Sequence, residues 1–445
     1  MNRRKFITKT ALATAGAFVV PYILPSGRLF AASGTRLVNH VVFILFAGGI
    51  RNQESVKQQY LLDQGIATTG NVMPNMLTGA QPTQNLVYQK WTPVVTNPLQ
   101  KLGTLFRELR YKDGPTGHYN GHTVGITGSY TYTGLNLNIN PEQPTVFEYY
   151  RKHYEPEKSA INAWWLSEAL GPYPSLNYSR HSNYGSKYGA NYLRAATTFG
   201  SLGSDYYSNL VNYQLDDAAR IRNLCDYLNH NFDKGPSDLP GIQNTEENRE
   251  RIRQFIAGIV QGTNVVEFPT PTGTITGATS DLVNIAAAWK VLQEFQPELI
   301  VCNTTNLDIC HSNFSSYIEF LHKADYGVGW LWNQIQGPEG AALGLKDDTV
   351  LIAMPEHGRN GMPNSLVDQN GLRAYDHTSD DNSREVFAMI VGPPGVVKQD
   401  QVFGTPSNPV GESIDMVPTI AHILGFHSDI PSGMLDGTPL YQAFV

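Results

Sequence analysis

The strongest constraint on this chain is a recurring pattern in which a short apolar run stops and acidic and histidine side chains follow at once. Residues 350–354 form such a run, and Pro355 ends it directly before Glu356 and His357. Short β-branched and aliphatic runs of this kind are typical of buried strands, and sites in α/β sheets are built at the carboxyl ends of strands. Glu356 and His357 therefore indicate either metal ligands at a strand end or a solvated turn.

A second occurrence of the pattern, and a histidine ahead of a third strand, favour metal ligands. Residues 298–305 form another predicted strand, and Asp308 and His311 follow its end. His377 lies just ahead of a third predicted strand over 386–391. Acids and imidazoles beside three separate strands are more than a structural chain requires, and oxygen and nitrogen donors together suit divalent cations.

A glycine-rich loop over 116–128 carries a second set of reactive side chains, Thr116, His118 and His122. A loop of this composition can supply a nucleophile or a further metal ligand. Alternatively, the two histidines are polar residues one turn apart on a short helix. The loop follows a first strand predicted over 37–46, which ends in glycines.

Composition limits the class of partner. The chain has 445 residues, of which 41% are hydrophobic and 16% charged, with a net charge of −7. No basic cluster is present in the mature part, which argues against nucleic acid or an anionic membrane surface as the main partner, so small molecules are expected. The three cysteines have no metal-binding spacing, and nothing in the sequence indicates an oligomeric state.

The N-terminal residues are typical of an export signal. Arg3 and Arg4 precede an apolar run over 11–24, and small residues follow at 31–33. This pattern predicts a twin-arginine signal peptide over 1–32 and a periplasmic or secreted protein. The alternative is an N-terminal anchor, but the run contains Pro21 and is shorter than the ~20 residues of a spanning helix, so no integral span is expected after signal removal.

The mature chain, residues 33–445, is expected to form one α/β domain. A segment around 172–208 that is rich in Tyr, Ser, Asn and Gly predicts an ordered insertion over one face. Helical periodicity predicts helices over 145–153, 216–232, 246–261, 280–295 and 314–336, and an apolar run predicts a strand over 160–166.

The order of these motifs resembles the alkaline phosphatase and sulfatase superfamily. The resemblance rests on Asp308 and His311 before a long helix, on Glu356 and His357 after the next strand, on the late His377, and on a closing stretch over 412–425 with an Asp-Gly turn at 436–437. Within the superfamily the chain is most similar to an uncharacterised, twin-arginine-exported bacterial branch. The resemblance implies a three-layer α/β fold with a mostly parallel central sheet flanked by helices.

The resemblance also implies an activity and roles for individual residues. The expected activity is metal-dependent hydrolysis of small anionic phosphate or sulfate esters. Asp308, His311 and His377 would bind one cation, and Glu356 with His357 would bind a second. Zinc is the first expectation, with calcium or manganese as alternatives. Two substrate-binding residues are implied as well, Arg359 and His122.

The chain departs from the family pattern at two places that matter for chemistry. The first strand of the superfamily normally ends in a metal-binding Asp, but here the segment after residue 46 contains no acid before Glu54. The usual nucleophile position falls on His118, with Thr116 two residues away, so these are the candidate catalytic residues. The alternative is a catalytically degenerate relative with a periplasmic binding or structural role.

Overall fold

The computed structural model describes residues 34–133, 139–153, 159–167, 176–195, 199, 242–378 and 380–445. The predicted signal over 1–32, the predicted helix over 216–232 and part of the predicted insertion around 172–208 lie outside these residues. Within them, no helix has both the length and the apolar character needed to cross a membrane.

One eight-stranded sheet runs through the described residues. Its strands are β1 (His40–Phe46), β2 (Gly103–Arg110), β3 (Ala163–Leu166), β4 (Asn191–Leu193), β5 (Leu299–Asn303), β6 (Thr349–Pro355), β7 (Glu385–Val391) and β8 (Gln401–Phe403). They lie in the order β4-β3-β5-β1-β6-β7-β2-β8. All neighbours pair in parallel except β7, which is antiparallel to both β6 and β2.

Helices cover both faces of this sheet. Within the described part of the chain they are α1 (His118–Thr127), α2 (Val146–His153), α3 (Glu246–Val260), α4 (Ser280–Phe295), α5 (Phe314–Gln336), α6 (Pro338–Ala342) and α7 (Met416–Ile423). The long helix α5 begins where the side chain of Asn313 accepts a hydrogen bond from the backbone N–H of Ser316.

Strand β1 shows why the fold has three layers. Val42 and Ile44 belong to an apolar core that includes α3, α4 and α5. Val41 and Phe43, which point to the opposite face, pack with α1, α2 and α7. A parallel strand buried on both faces has to be apolar at nearly every position, as β1 is. The predicted three-layer α/β architecture with a mostly parallel sheet is confirmed.

Most predicted elements within the described residues occur with ends shifted by a few residues. The segment 160–166 divides into a 3-10 helix, Ala160–Asn162, followed by β3. The sequence pattern does not predict β2, β4 or β8. Strand β2 escapes detection because the buried Glu108 interrupts its apolar pattern.

The topology brings the predicted ligands to one edge of the sheet. Strands β5 and β6 are both parallel to β1, so their carboxyl ends lie on the same side. The segments that follow them carry the first two acid and histidine groups. Because β7 is antiparallel, its beginning lies at this same edge, and the loop that leads into it brings His377 there.

Candidate metal centre

Six acidic and histidine side chains from four segments of the chain meet at this edge. One group of potential ligand atoms, all within 4.8 Å of one another, comes from His118, Asp308, His311 and His377. A second group comes from His118, Glu356 and His357 under the same limit. His118 is thus common to both groups, and the predicted ligands are brought together.

Local structure explains how each segment reaches the site. After β5 a 3-10 helix, Asn306–His311, holds Asp308 and His311 on one short turn. Helix α1 begins at His118, and Gly121 in its first turn lets the helix approach β6 closely. A Cβ at Gly121 would lie 2.8 Å from the carbonyl oxygen of Glu356, a distance that requires the backbone to move.

The carboxylate of Asp308 is the centre of the first group. Its Oδ1 lies 3.1 Å from Nε2 of His118 and 3.1 Å from Nε2 of His311. The guanidinium of Arg359 donates to the same oxygen at 2.9 Å. Burial tends to raise the pKa of Asp308, but hydrogen bonds from His118 and His311, together with the charge of Arg359, hold that pKa well below its usual range.

His311 and His377, the other two histidines of the first group, are each oriented by a hydrogen bond from Nδ1. That of His311 lies 2.6 Å from Oδ1 of Asp376, and that of His377 lies 2.5 Å from the carbonyl oxygen of Thr116. Because Nδ1–H is donated outward, Nε2 faces the interior of the group, where it can offer its lone pair to a cation. Burial, followed by the neighbouring His357 and His118, lowers the pKa of His377, so this ring is neutral.

Glu356 forms the buried wall of the site. Its Oε1 accepts the backbone N–H of Gly48 at 2.6 Å and lies 2.7 Å from Nδ1 of His118. Its Oε2 is hydrogen-bonded to Nδ1 of His122. Burial tends to raise the pKa of Glu356, but the neighbouring imidazoles, His122 first, hold it well below its usual range.

His118 lies between the two carboxylates, with one ring nitrogen toward each. Burial alone would lower its pKa, but Glu356 and Asp308 outweigh that effect and raise the pKa of His118 to about 9. In the metal-free protein both ring nitrogens of His118 are therefore protonated at neutral pH, and the ring is positively charged. His357 behaves differently, because its complete burial lowers its pKa.

The glycines after β1 leave no room for the carboxylate that the family resemblance implies there. Gly48 has a φ of +90°, and a Cβ on it would lie 2.2 Å from the backbone nitrogen of Asp308. Gly49 has a φ of +73°, and a Cβ on it would lie 2.5 Å from Nδ1 of His357. The end of β1 contributes a backbone N–H to Glu356 in place of a side chain.

The site is closed at the bottom and open on one side. The side chains of Glu356 and His357 are 0% exposed, whereas those of His311 and Asp376 are 35% and 44% exposed. A substrate can therefore approach along His311 and Asp376. We refer to this open side as the mouth of the site.

The other predicted site residues lie around this cluster. Thr116 is buried, and its hydroxyl donates to the carbonyl oxygen of His377 and lies 3.2 Å from Oγ of Ser383. His122 is buried behind Glu356. Arg359 is also buried, and besides Asp308 it donates to the carbonyl oxygen of Tyr375 at 2.8 Å. The predicted catalytic and substrate-binding roles of these residues stay predictions.

Sequence reasoning missed two residues that shape the mouth. Asp376 orients His311, and Asn364 donates from Nδ2 both to the carbonyl oxygen of His311 at 3.0 Å and to Oδ1 of Asp376 at 3.1 Å. Asp376 had a detectable signal, because it is the immediate neighbour of His377. Asn364 had none, since asparagine in a polar turn is ordinary.

No protein-family model matches the chain, and no curated protein matches it. Solved structures do resemble it. One, of a protein in the alkaline phosphatase superfamily from Vibrio parahaemolyticus, is 10% identical, with 96% of this chain and 76% of that chain covered and a TM-score of 0.39.

Two other solved structures are similar at the same level. A phosphonate monoester hydrolase from Silicibacter pomeroyi is 14% identical, with 90% of this chain and 76% of that chain covered and a TM-score of 0.39. A mutant of the alkaline phosphatase PafA is 11% identical, with 93% and 100% covered and a TM-score of 0.46. The solved structures that resemble this chain thus include members of the superfamily that the sequence motifs resemble.

Proposed function

We propose that this protein is an exported, metal-dependent hydrolase of small phosphate or sulfate esters. The observation that carries the proposal is the convergence of His118, Asp308, His311 and His377 at the carboxyl edge of the sheet, with one side open to solvent. A purely structural cluster would be enclosed, whereas a catalytic centre has to admit a substrate.

The donor set fits a divalent cation. Imidazole nitrogens and carboxylate oxygens are the ligands of zinc, and three of the rings are held by outward hydrogen bonds from Nδ1 to Glu356, Asp376 and the carbonyl oxygen of Thr116. A bound divalent cation supplies Lewis-acid stabilisation for the charge that develops on the oxygens of a phosphoryl or sulfuryl group.

The surrounding residues hold and orient this set. Arg359 balances part of the charge of Asp308 from the buried side and fixes its Oδ1. Asp376 holds His311 at the mouth, so the ring cannot rotate away from the other ligands. His357 stacks on His377 at a centroid distance of 4.2 Å and closes the bottom of the site to water.

We propose water as the nucleophile. The hydroxyl of Thr116 is donated to the carbonyl oxygen of His377, and both ring nitrogens of His118 contact carboxylates. In hydrolysis the bond from phosphorus or sulfur to the leaving-group oxygen breaks, and a bond to the water oxygen forms. The attacking water releases a proton to solvent, and the leaving-group oxygen takes one up from solvent. A Thr116→Val variant that loses all turnover while keeping its metal and its stability would restore Thr116 as the nucleophile.

The direct test is turnover by the mature protein loaded with zinc, manganese or calcium. We expect metal-dependent hydrolysis of at least one of 4-nitrophenyl phosphate, bis(4-nitrophenyl) phosphate and 4-nitrophenyl sulfate. Asp308→Asn should abolish it. Asp400→Asn, which changes an exposed carboxylate paired with Lys101 on the surface, is the matched control and should leave the rate unchanged.

A catalytically inactive binding protein is the second candidate, and one observation favours it. The end of β1 has no space for a carboxylate side chain, because the Cβ positions of Gly48 and Gly49 are already filled. If the metal-loaded protein binds phosphate or sulfate ions but turns over none of the three esters faster than Asp308→Asn, this second function is the correct one.

Export belongs to the proposal as well. Arg3 and Arg4 support it from the sequence alone. Replacing both with lysine should retain the protein in the cytoplasm, as cell fractionation would show. Export that is unaffected by the double replacement would argue against the twin-arginine route.

A further inference from the structure

We infer that the cluster binds a single divalent cation through His118, Asp308, His311 and His377, and that Glu356 and His357 support this centre from outside. The inference rests on the metal dependence proposed above and makes it more specific. It assigns His118 as a metal ligand, and it takes Glu356 and His357 out of the ligand set that the family resemblance implies.

The orientation of the imidazoles is the first argument. His118, His311 and His377 each have Nδ1 against an oxygen outside the group: Oε1 of Glu356 at 2.7 Å, Oδ1 of Asp376 at 2.6 Å and the carbonyl oxygen of Thr116 at 2.5 Å. If all three donate Nδ1–H, all three present a lone pair on Nε2. Metal-binding histidines are held in this way by an oxygen acceptor.

The surroundings of Asp308 are the second argument. Its Oδ1 lies 3.1 Å from Nε2 of His118 and 3.1 Å from Nε2 of His311. In the metal-free protein a proton on Nε2 bridges such a contact as a hydrogen bond. When the rings are protonated at Nδ1 alone, as in metal-bound histidines, both Nε2 atoms and Oδ1 direct lone pairs to the same space, where one cation can replace the bridging protons. Three nitrogens and one oxygen also make the four donors that zinc prefers.

The second donor group lacks what a cation requires. The described residues bring only three donors together there, and one of them is His118, whose Nδ1 is already hydrogen-bonded to Glu356. Both oxygens of Glu356 are engaged as well, Oε1 by the N–H of Gly48 and Oε2 by His122. A side-chain donor from Gly48 or Gly49 is excluded by the space around them.

His357 has a different task in this arrangement. Its Nδ1 lies 2.7 Å from the carbonyl oxygen of Gly358, and its ring stacks on that of His377 with an interplanar angle of 20°. It therefore packs behind a ligand and keeps water out. A residue in this position affects the rigidity of the centre, but its loss leaves all four donors in place.

The test is a titration of the metal-free mature protein with Co²⁺, followed by absorption spectroscopy and elemental analysis. We expect about one Co²⁺ per chain for the unaltered protein. Two matched histidine replacements then distinguish a residue that binds the metal from one that only packs behind the site. His118→Gln should weaken Co²⁺ binding by more than about 100-fold, whereas His357→Gln should keep one Co²⁺ with the same spectrum. Glu356→Gln should weaken binding about 10- to 100-fold without changing the number bound.

The results that overturn the inference are equally definite. Two Co²⁺ ions per chain in the unaltered protein, or unchanged Co²⁺ affinity in a folded His118→Gln variant, would refute it. If His118→Gln does not fold, the stoichiometry of the unaltered protein still decides the number of ions, and the spectrum of His357→Gln still decides whether His357 is a ligand.

Failure of this inference is distinguishable from failure of the proposed function. One bound metal without ester hydrolysis would leave the inference standing and remove the proposed activity. Two bound metals with hydrolysis would do the opposite. A protein that binds no Co²⁺ would refute both.

Discussion

Replacing Gly49 with alanine tests whether the end of β1 can accommodate any side chain. The new Cβ would lie 2.5 Å from Nδ1 of His357, a ring that is fully buried and fixed by Gly358 and His377. The φ of +73° adds a second cost, because a left-handed conformation costs a non-glycine residue about 1–2 kcal/mol. Forcing a methyl group into a packed site adds about 1–3 kcal/mol.

Gly344 provides the matched control. Its φ is +79°, close to that of Gly49, but nothing lies within 4 Å of its Cβ position. Gly344→Ala therefore carries the backbone cost alone, about 1–2 kcal/mol. We expect Gly49→Ala to lower the free energy of unfolding by about 1–3 kcal/mol more than Gly344→Ala does.

Guanidinium-induced unfolding of the two metal-free variants, followed by tryptophan fluorescence, measures this difference. The comparison is valid if the denaturant dependence is the same for both. Equal destabilisation by the two replacements would show that His357 gives way easily. A side chain at the end of β1 would then be sterically allowed, and that position could supply a donor to a second cation.

Three further predictions concern charge and metal. Arg359→Met should lower the free energy of unfolding of the metal-free protein, measured in urea, by about 2–3 kcal/mol. This is less than the ~3–5 kcal/mol of a fully buried ion pair, because the side chain of Asp308 is 26% exposed. As the control, Lys101→Met breaks an exposed pair with Asp400 and should cost less than about 1 kcal/mol. Burial raises the pKa of Glu54 to about 7 despite the nearby Arg51, so the stability that protonated Glu54 contributes is full below pH 4.5 and is lost as the pH rises through about 7. The free energy of unfolding of the unaltered protein, relative to that of Glu54→Gln, should therefore fall by about 3 kcal/mol between pH 4.5 and pH 8. A difference that stays constant with pH would contradict this. Chelation should remove about 4 kcal/mol of stability from protein held at 1,000 times the metal dissociation constant. At the same metal concentration, thermal melts should show the same loss in His357→Gln but less than about 1.5 kcal/mol in His118→Gln, whose binding is more than about 100-fold weaker.

The sequence predicts the candidate ligands that follow strands, but it does not predict a ligand whose position depends on how a helix packs against the sheet. Glu356 comes directly after an apolar run and Asp308 a few residues after another, so their position at the sheet edge follows from strand polarity. His118 lies in a glycine-rich segment that the sequence pattern predicts as a loop and that forms the start of α1, and no local pattern shows that its ring lies between these two carboxylates. That contact depends on the close approach of α1 to β6 at Gly121, which only the folded structure reveals.

Fold prediction has the same division. The parallel strands β1, β5 and β6 are buried on both faces and read as continuous apolar runs. Strand β2 carries Glu108 at a position that is buried from solvent, so its sequence does not resemble a core strand. Its place in the sheet is set by pairing with β7 and β8, and a local sequence pattern contains no information on such long-range pairing.

The charges around the site bear on the number of cations it can hold. Among the described residues, three carboxylates contact the cluster, those of Asp308, Glu356 and Asp376, and Arg359 pairs with the first of them. With neutral imidazoles, as ligands must be, these groups carry a net charge of about −2. One divalent cation neutralises that charge. A second would leave about two positive charges beside fully buried side chains such as His357, a state that desolvation makes costly. Charge balance and donor geometry thus independently favour one ion.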